Sequence, residues 1–283
     1  FFVSVDSGRV KAEDATFEEI INHLVSNELN MTATSSLNEH SNIKYGFTIN
    51  EKINSKKLIE QFASASMFIP RINSHGEFKL NVIKKTYTGA TSADGNEVIK
   101  KEDVIDFSYS RTPVDKVYTK VILHYDWDYG EKSYKKRYET EVKEFLIDDV
   151  PGFYEYSYYG LNSNHSESTL VIDDHRGKFL NPNDDSYAAF AENLLLYHAN
   201  QHLKIKVKLP LKYLNLEVGD TISFKEILGD VKPYGIDYVS SGQSVNGQEI
   251  FPYFIITSTN KGLNSVQIEC EMTHSLDYWK DCA

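Results

Sequence analysis

Three segments of the chain carry the spacing of apolar residues that is typical of amphipathic helices. In the first, Thr16 is followed three residues later by Glu19, the capping-box pair, and an apolar stripe at i, i+3, i+4, i+7 and i+8 follows. A second helix is predicted from residue 54 or 55 to a point before Pro70. A third, the longest, is predicted from about 185 to 202. Each has one apolar face and therefore covers other structure.

Most of the remaining chain alternates apolar and polar residues with a period of two, as half-buried strands do. The clearest case is 204–210, where lysines alternate with aliphatic residues. Asn246-Gly247 and Lys261-Gly262 are typical of hairpin turns, so the pattern favours an antiparallel barrel or sandwich. The predicted strands lie at 78–83, 117–125, 134–147, 204–210, 221–224, 253–258 and 265–272.

The balance of helix and strand changes along the chain. Residues 1–105 hold two of the predicted helices with strands between them, whereas residues 106–283 are mainly β and contain the third helix. Pro113 lies near this change and keeps its predecessor out of helical conformation. We therefore expect an α+β, mainly β protein with a small α+β domain over 1–105 and a β-rich domain over 106–283.

Composition excludes three classes of protein. The 283 residues include 30 Lys and Arg against 41 Asp and Glu, a net charge of −11, which argues against a surface that grips duplex DNA. The apolar fraction of 41% supports a core, but no apolar run approaches the roughly 18 residues that a membrane span needs. Cys270 and Cys282 are the only cysteines, too few for a disulfide scaffold.

Two groups of residues suggest metal binding, and each has a simpler explanation. His198 and His202 have the i, i+4 spacing of zinc ligands, but Ala199 stands where a hydrolytic motif has Glu, so helix-surface histidines are the better interpretation. Asp173-Asp174-His175 and Asp184-Asp185 lack the glycine and glutamate positions of a calcium loop. We expect Asp185 to cap the third helix instead.

Aromatic residues beside carboxylates suggest a sugar-binding or sugar-cleaving cleft. Asp126-Trp127-Asp128-Tyr129 places two carboxylates beside two rings, and residues 154–160 are densely aromatic. Asp126 and Asp128 would lie on one face of a single hairpin, where a buried acid of raised pKa rarely forms. Tyrosines at this density also suit a subunit interface, which leaves both interpretations open.

The sequence shows no signature of a catalytic nucleophile or of a nucleotide site. It contains no Gly-x-Ser-x-Gly elbow, no Walker loop and no Gly-x-Gly-x-x-Gly after a strand. Cys270 shares a strand face with Ile268 and Met272 and is expected in the core, while Cys282 has no assigned role. Glycosylation sequons at Asn30 and Asn164 are short enough to arise by chance. We predict no catalytic, cofactor or metal site and expect no enzyme.

The order of the segments resembles that of a known family. The turn Leu216-Glu217-Val218-Gly219-Asp220 is its sharpest motif. The series resembles the central and C-terminal portions of the tail hub (tail tip or baseplate hub) proteins of tailed bacteriophages, relatives of the type VI secretion spike. The segments that carry the resemblance are 16–21, 44–49, 58–63, 73–80, 106–111, 115–125, 203–209, 214–222, 254–258 and 265–270.

The resemblance implies a structural role at the distal end of a virion tail. Members of this family form a threefold ring in which two barrel domains per chain supply six tube-like units. For this chain it implies a homotrimer, with a tube-like antiparallel β-barrel within 106–283. It also implies contacts with the distal tail or tail tube protein, with spike or fibre proteins and with the tape measure protein. Genomic DNA would pass without sequence-specific binding, because an acidic wall does not hold phosphates.

Two departures from the family pattern define the remaining expectations. No N-terminal tube-like domain precedes Phe1, so we expect the chain to be a piece of a longer polypeptide. Residues 127–170 exceed a bare hairpin and form an insertion, in which the 154–160 strip is a candidate contact surface. The alternative function is a receptor- or glycan-binding module that stacks sugars on Trp127, Tyr129 and the rings of this strip.

Overall fold

The computed structural model describes residues 3–4, 15–32, 40–49, 53–73, 75–90, 98–140, 168–227, 232–245 and 248–276. In these ranges the α-helices are α1 Phe17–His23, α2 Ser55–Ser64 and α3 Ser186–His198. The strands are β1 Val3–Ser4, β2 Thr48–Ile49, β3 Phe68–Ile72, β4 Phe78–Val82, β5 Val98–Ile99, β6 Asp106–Arg111, β7 Lys120–Asp128, β8 Ser133–Glu139, β9 Thr169–Ile172, β10 Leu203–Leu209, β11 Thr221–Phe224, β12 Gln243–Val245, β13 Gln248–Lys261 and β14 Val266–His274. No helix within the described ranges is long and apolar enough to cross a membrane.

The chain divides into two compact units built from alternating segments. Unit 1 takes 1–83, 120–141 and 169–195, and unit 2 takes 84–119, 142–168 and 196–283. Each unit has its own cluster of buried apolar side chains. Both units therefore draw on residues from both predicted domains, 1–105 and 106–283.

The predicted capping box opens the first helix of unit 1. The Thr16 hydroxyl accepts the Glu19 N–H at 3.3 Å, and the Glu19 carboxylate accepts the Thr16 N–H at 3.0 Å. These bonds satisfy N–H groups that have no partner within the helix. Phe17, Ile20 and Ile21 are buried behind the cap, and α1 continues into a π-helical turn over Leu24–Glu28.

The second helix begins as predicted but ends earlier. The Asn54 side chain accepts the N–H groups of Lys56 and Lys57, which makes Asn54 the N-cap of α2. The helix ends at Ser64, and Pro70 lies inside β3 opposite Leu80 of β4 rather than behind the helix. Because β3 pairs with one strand in the described sheet, the missing proline N–H costs little there.

An aromatic cluster forms the core of unit 1. The rings of Phe17 and Phe62 lie 4.4 Å apart, and those of Phe17 and Phe68 stack at 4.8 Å. Tyr45 packs edge-on against Phe62 and donates a hydrogen bond to the Ala65 carbonyl at 3.1 Å. Burial raises the pKa of Tyr45 well above its usual value, so the hydroxyl stays protonated. Through this cluster, α1 and α2 pack against the β3–β4 hairpin.

A three-stranded sheet of order β8-β7-β9 belongs to unit 1. The β7–β8 pair is antiparallel and the β7–β9 pair is parallel. The strand predicted over 117–125 lies three residues later, at Lys120–Asp128. The strand predicted over 134–147 is β8 up to Glu139, and the predicted part from 141 onward lies outside the described residues.

A seven-stranded sheet forms the centre of unit 2. Its order is β5-β11-β13-β14-β10-β6, with β12 paired to β13, and all pairs except parallel β5–β11 are antiparallel. The path ends at β5 and at β6 and does not close within the part of the chain that the structure describes, so the predicted tube-like barrel is not confirmed. The Gly262 N–H bonds the Ser265 carbonyl at 2.9 Å and closes the predicted β13–β14 hairpin. The turn predicted at Asn246-Gly247 falls outside the described residues.

The strand predicted over 204–210 is confirmed as β10. Its Leu203, Ile205, Val207 and Leu209 are buried in the unit 2 core, and the lysines between them are exposed. The third helix, predicted over 185–202, ends at His198. Four residues of coil then lead into β10, because β10 must start at Leu203 to pair with β6 and β14.

Candidate functional site

The two carboxylates considered as a possible acid–base pair, Asp126 and Asp128, make hydrogen bonds and ion pairs with neighbouring groups. Asp128 accepts the N–H groups of Gly130 at 2.8 Å and Glu131 at 3.0 Å, and these bonds, with Lys135, lower the pKa of Asp128. Asp126 pairs with Lys136 at 3.2 Å and adopts a left-handed φ of 62°. A general acid needs a carboxyl group that keeps its proton. The lowered pKa of Asp128 does not suit that role, and Asp126 is held in an ion pair with Lys136.

The two aromatic residues beside these carboxylates, Trp127 and Tyr129, also contact other parts of unit 1. The Lys178 ammonium lies 3.6 Å from the centroid of the Trp127 ring, and Tyr134 meets Trp127 edge-on at 4.8 Å. The Tyr129 hydroxyl accepts the Thr48 N–H at 3.0 Å. A sugar-stacking platform needs an open ring face. The Lys178 contact therefore closes one face of the Trp127 ring, and this geometry does not favour a glycan site on Trp127, while the Tyr129 hydroxyl contributes to the packing of unit 1.

The acidic residues compared with a calcium loop stabilise two turns. Burial alone would raise the pKa of Asp174, but the side chain and N–H of Arg176 hydrogen-bond the carboxylate and lower it below its usual range. Asp184 accepts the Ser186 N–H at 2.9 Å where α3 begins. The carboxylate that accepts an N–H from the first turn of α3 is therefore that of Asp184, one residue before the predicted cap Asp185. In the described ranges no three His, Cys, Asp or Glu side chains are grouped so as to hold a metal ion.

A serine and a histidine that the sequence analysis did not connect lie together in unit 1. The His175 Nε2 is 2.9 Å from the Ser64 hydroxyl oxygen, and that hydroxyl donates to the Gln61 carbonyl at 2.7 Å. Burial, with help from Arg176 and Lys178, lowers the pKa of His175. The serine proton already points to a carbonyl, so the pair fastens the end of α2 rather than activating a nucleophile.

The predicted i, i+4 histidine pair does not share a helix face, because α3 ends at His198. His198 packs edge-on against Tyr118, whereas His202 lies in the coil before β10 and is buried. His202 instead belongs to a polar cluster with Tyr197, Lys204, Glu271 and His274. Sequence reasoning missed this cluster, because its members come from three elements that meet only in the fold.

Cys270 lies in the core of unit 2, as predicted. Burial raises the pKa of its thiol, which keeps the sulfur in the unreactive thiol form. Asn30 lies in an exposed turn with φ of 52°. Cys282, Asn164 and the 154–160 strip lie outside the described residues.

The seven-stranded sheet of unit 2 has one buried face and one polar face. On the polar face, Lys206 pairs with Glu269 at 2.7 Å and Lys204 with Glu271 at 3.3 Å. In the rows that cross β6, β10 and β14, three lysines lie beside three carboxylates, so the charges of these rows balance. The rows that cross β6, β10 and β14 are Ser110–Lys204–Glu271, Ser108–Lys206–Glu269 and Asp106–Lys208–Gln267.

An aromatic patch lies beside the edge strand β6, which has β10 as its one neighbour in the described sheet. Tyr109 and Tyr234 meet edge-on at 5.6 Å, and their side chains are 40% and 51% exposed. The Arg111 guanidinium lies 4.3 Å from the Tyr234 ring centroid, and Tyr234 has a left-handed φ of 53°. That conformation is strained for tyrosine and is held by these contacts.

Similarity to known proteins is found among solved structures, at low sequence identity. A chain from the virion of a native gene transfer agent particle aligns with TM-score 0.44 and 11% identity over 95% of this chain and 49% of that one. A tail protein from Neisseria meningitidis MC58 aligns with TM-score 0.43 and 9% identity over 92% and 66%. A prophage tail protein from Listeria monocytogenes EGD-e aligns with TM-score 0.42 and 14% identity over 94% and 66%. No family model and no curated protein sequence matches the chain.

The chain therefore spans between about half and two thirds of the length of the solved chains it matches. Among the described residues, the polar face of the unit 2 sheet and the Tyr109–Tyr234 patch are candidate surfaces for function. The sequence indicated the alternating lysines of β10, but it did not show which carboxylates of β6 and β14 lie beside them.

Proposed function

We propose that this chain is a structural subunit of a phage-like tail, and specifically a tail hub or tip subunit that forms a homotrimeric ring. In this role it would join the tail tube or distal tail protein to the spike or fibres, near the tape measure protein. The ordered series of sequence segments supports this proposal. The capped first helix, the β3–β4 hairpin and the β10 strand of that series are all formed.

The observation that carries the proposal is the two-faced sheet of unit 2. A wall that DNA slides past must be polar and must not offer free cations, because lysines released to phosphates would hold the DNA. The polar face meets this need, since Lys204 and Lys206 already pair with carboxylates and Asp106 lies opposite Lys208. It does so by balancing charge, whereas the net charge of the chain suggested an acidic wall.

The geometry of the sharpest family motif also supports the proposal. Gly219 has φ of 86°, a conformation that favours glycine, and its N–H bonds the Ile256 carbonyl at 2.7 Å. The Asp220 carboxylate accepts the Glu217 N–H at 2.9 Å. The motif therefore forms a tight turn that delivers β11 to its partner β13, which explains why the turn needs both glycine and aspartate.

The Tyr109–Tyr234 patch is the surface we assign to contact with a neighbouring subunit. Tyrosines that expose a ring while keeping a hydroxyl in water are frequent at interfaces. The contacts with Arg111 hold Tyr234 before any partner arrives, which reduces the entropy cost of association.

The proposal is tested by the mass of the natural full-length protein at micromolar concentration, with electron microscopy of the particles. We expect a threefold ring, and capture of tail tube and spike proteins from virions of the source phage. A protein that stays monomeric alone and with these partners contradicts the ring.

A paired substitution tests the assigned contact separately. We expect Tyr109→Ser with Tyr234→Ser to lower the ring fraction at least tenfold, because two anchoring rings are lost. Tyr253→Ser, in the same sheet, should leave the ring intact. Equal ring fractions for all three proteins would remove the patch from the interface while leaving the ring proposal standing.

A further inference from the structure

Two buried imidazole rings pack against each other in unit 2, where His202 lies next to Glu271 of the polar face. The ring centroids of His202 and His274 lie 4.7 Å apart, and the side chains are 2% and 3% exposed. The Tyr197 ring from the last turn of α3 packs on both, at 4.7 Å from His202 and 5.8 Å from His274. The pair thus joins the end of α3 to the end of β14.

One member of the pair, His202, has a hydrogen-bond acceptor beside each ring nitrogen. The His202 Nε2 lies 2.7 Å from the Tyr197 carbonyl and must donate to it. The Nδ1 faces the Glu271 carboxylate at 3.3 Å and the Met272 carbonyl at 3.4 Å, and both are acceptors. Because both ring nitrogens face acceptors, the doubly protonated imidazolium satisfies every contact of His202.

The other member, His274, faces the backbone carbonyls of Ser275 and Tyr197 but has no carboxylate of its own. The His274 Nδ1 donates to the Ser275 carbonyl at 3.0 Å, while its Nε2 is buried and makes no hydrogen bond with the described groups. Glu271, the carboxylate of this cluster, already receives the Tyr197 hydroxyl at 3.1 Å and the Lys204 ammonium at 3.3 Å. A proton on His274 would therefore place a buried positive charge against the His202 ring without a compensating carboxylate.

We propose that the His202–His274 pair is an acid-sensitive lock, which opens locally when the buried His274 takes up a proton against the His202 ring. The groups that face the pair are Tyr197 and His198 from α3, Lys204 from β10 and Glu271 from β14, with Tyr87 facing Tyr197.

The direction of the pH effect follows from the state of His274. Burial, with the nearby His202, lowers the pKa of His274 to about 3, although the Ser275 and Tyr197 carbonyls oppose the shift. In the open state the ring regains a value of about 6.5. Between about pH 3 and about pH 6.5, the open state therefore binds one more proton than the closed state. The equilibrium constant for opening then rises by up to about tenfold for each unit that the pH falls below about 6.5.

The experiment is hydrogen exchange of the full chain between pH 7.5 and 5, corrected for the intrinsic pH dependence of exchange. Carboxylates with lowered pKa values titrate below this window, so the histidines dominate it. At the last turn of α3 and the end of β14, we expect the equilibrium constant for opening to rise by up to about tenfold for each pH unit below about 6.5. A flat profile at those amides overturns the lock.

Two variants and a control assign the effect to His274. We expect His274→Gln and His274→Phe each to flatten the profile, because neither side chain takes up a proton, while His75→Gln, an exposed histidine of unit 1, leaves it unchanged. A variant that folds and keeps the wild-type slope overturns the proposal. If neither variant folds, the wild-type His274 ring signal decides by nuclear magnetic resonance. It should not titrate above pH 5, and a midpoint near 6.5 in the folded protein excludes the lock.

Discussion

At the scale of single residues, Gly177 is the described glycine with the least room for a side chain. It lies in the turn that follows Asp174, and a Cβ at this position would overlap the carbonyl of His124 in β7. The backbone of the turn and that of β7 approach so closely that only hydrogen fits between them. This contact sets where the turn, and with it Lys178, meets Trp127.

We expect Gly177→Ala to lower the free energy of unfolding of unit 1 by about 2 kcal/mol or more, because backbone must shift to admit the methyl group. Thermal or urea unfolding measures the change. Gly46→Ala is the matched control, since nothing lies within 4 Å of the added Cβ, and it should change stability by less than about 1 kcal/mol. Similar losses for both variants would contradict the close approach.

At the scale of elements, α2 depends on a side chain that precedes it. Asn54 accepts two N–H groups at the exposed N-terminus of the helix. We expect Asn54→Ala to cost about 1 kcal/mol of stability and Asn54→Asp to cost little, because aspartate caps equally well. Chemical denaturation compares these variants with Lys56→Ala, an exposed first-turn substitution that should stay within about 0.5 kcal/mol of the parent. An Asn54→Ala variant as stable as Lys56→Ala would remove the role of the cap.

The sequence predicted well those elements whose caps or alternating residues are consecutive in the chain. The caps at Thr16 and Asn54 and the alternation of β10 are written in consecutive residues, so the sequence located them closely. The predicted end of α3 at residue 202 was wrong, because residues 199–202 contain no glycine or proline to mark the stop at His198, while β10 needs the chain extended from Leu203. The second helix does end before Pro70, as predicted, but it stops at Ser64 because the chain then forms β3, where Pro70 is tolerated with one neighbouring strand in the described sheet.

The candidate sites depend on pairings that no local signal contains. β5 pairs with β11 and β7 with β9 in parallel, across long stretches of sequence. The carboxylates that neutralise the β10 lysines come from β6 and β14, and the partners of His202 come from α3, β10 and β14. Only the folded sheet brings these residues to one place.

At the scale of the whole molecule, charge balance on the polar face makes a prediction about DNA. Asp106→Asn with Glu269→Gln leaves Lys206 and Lys208 without neighbouring carboxylates in their rows. We expect non-specific duplex DNA binding to strengthen several-fold at 50 mM salt and to vanish near 200 mM, measured by fluorescence anisotropy.

The matched control carries the same change in net charge elsewhere. Glu60→Gln with Glu226→Gln removes two exposed carboxylates, one on α2 and one beside Lys101. Its DNA affinity should stay close to that of the parent. Equal gains for both double variants would show that net charge, and not the polar face, governs contact with DNA.

The alternation of segments between the two units bears on how the chain folds during synthesis. β6 leaves the ribosome about ninety residues before β10, the strand that pairs with it. At translation rates of 5–20 residues per second, that separation is a wait of about 5 to 20 s. Through that interval Phe107 and Tyr109 have no sheet to join, so a nascent chain of this protein gives a chaperone a defined time and a defined segment to bind.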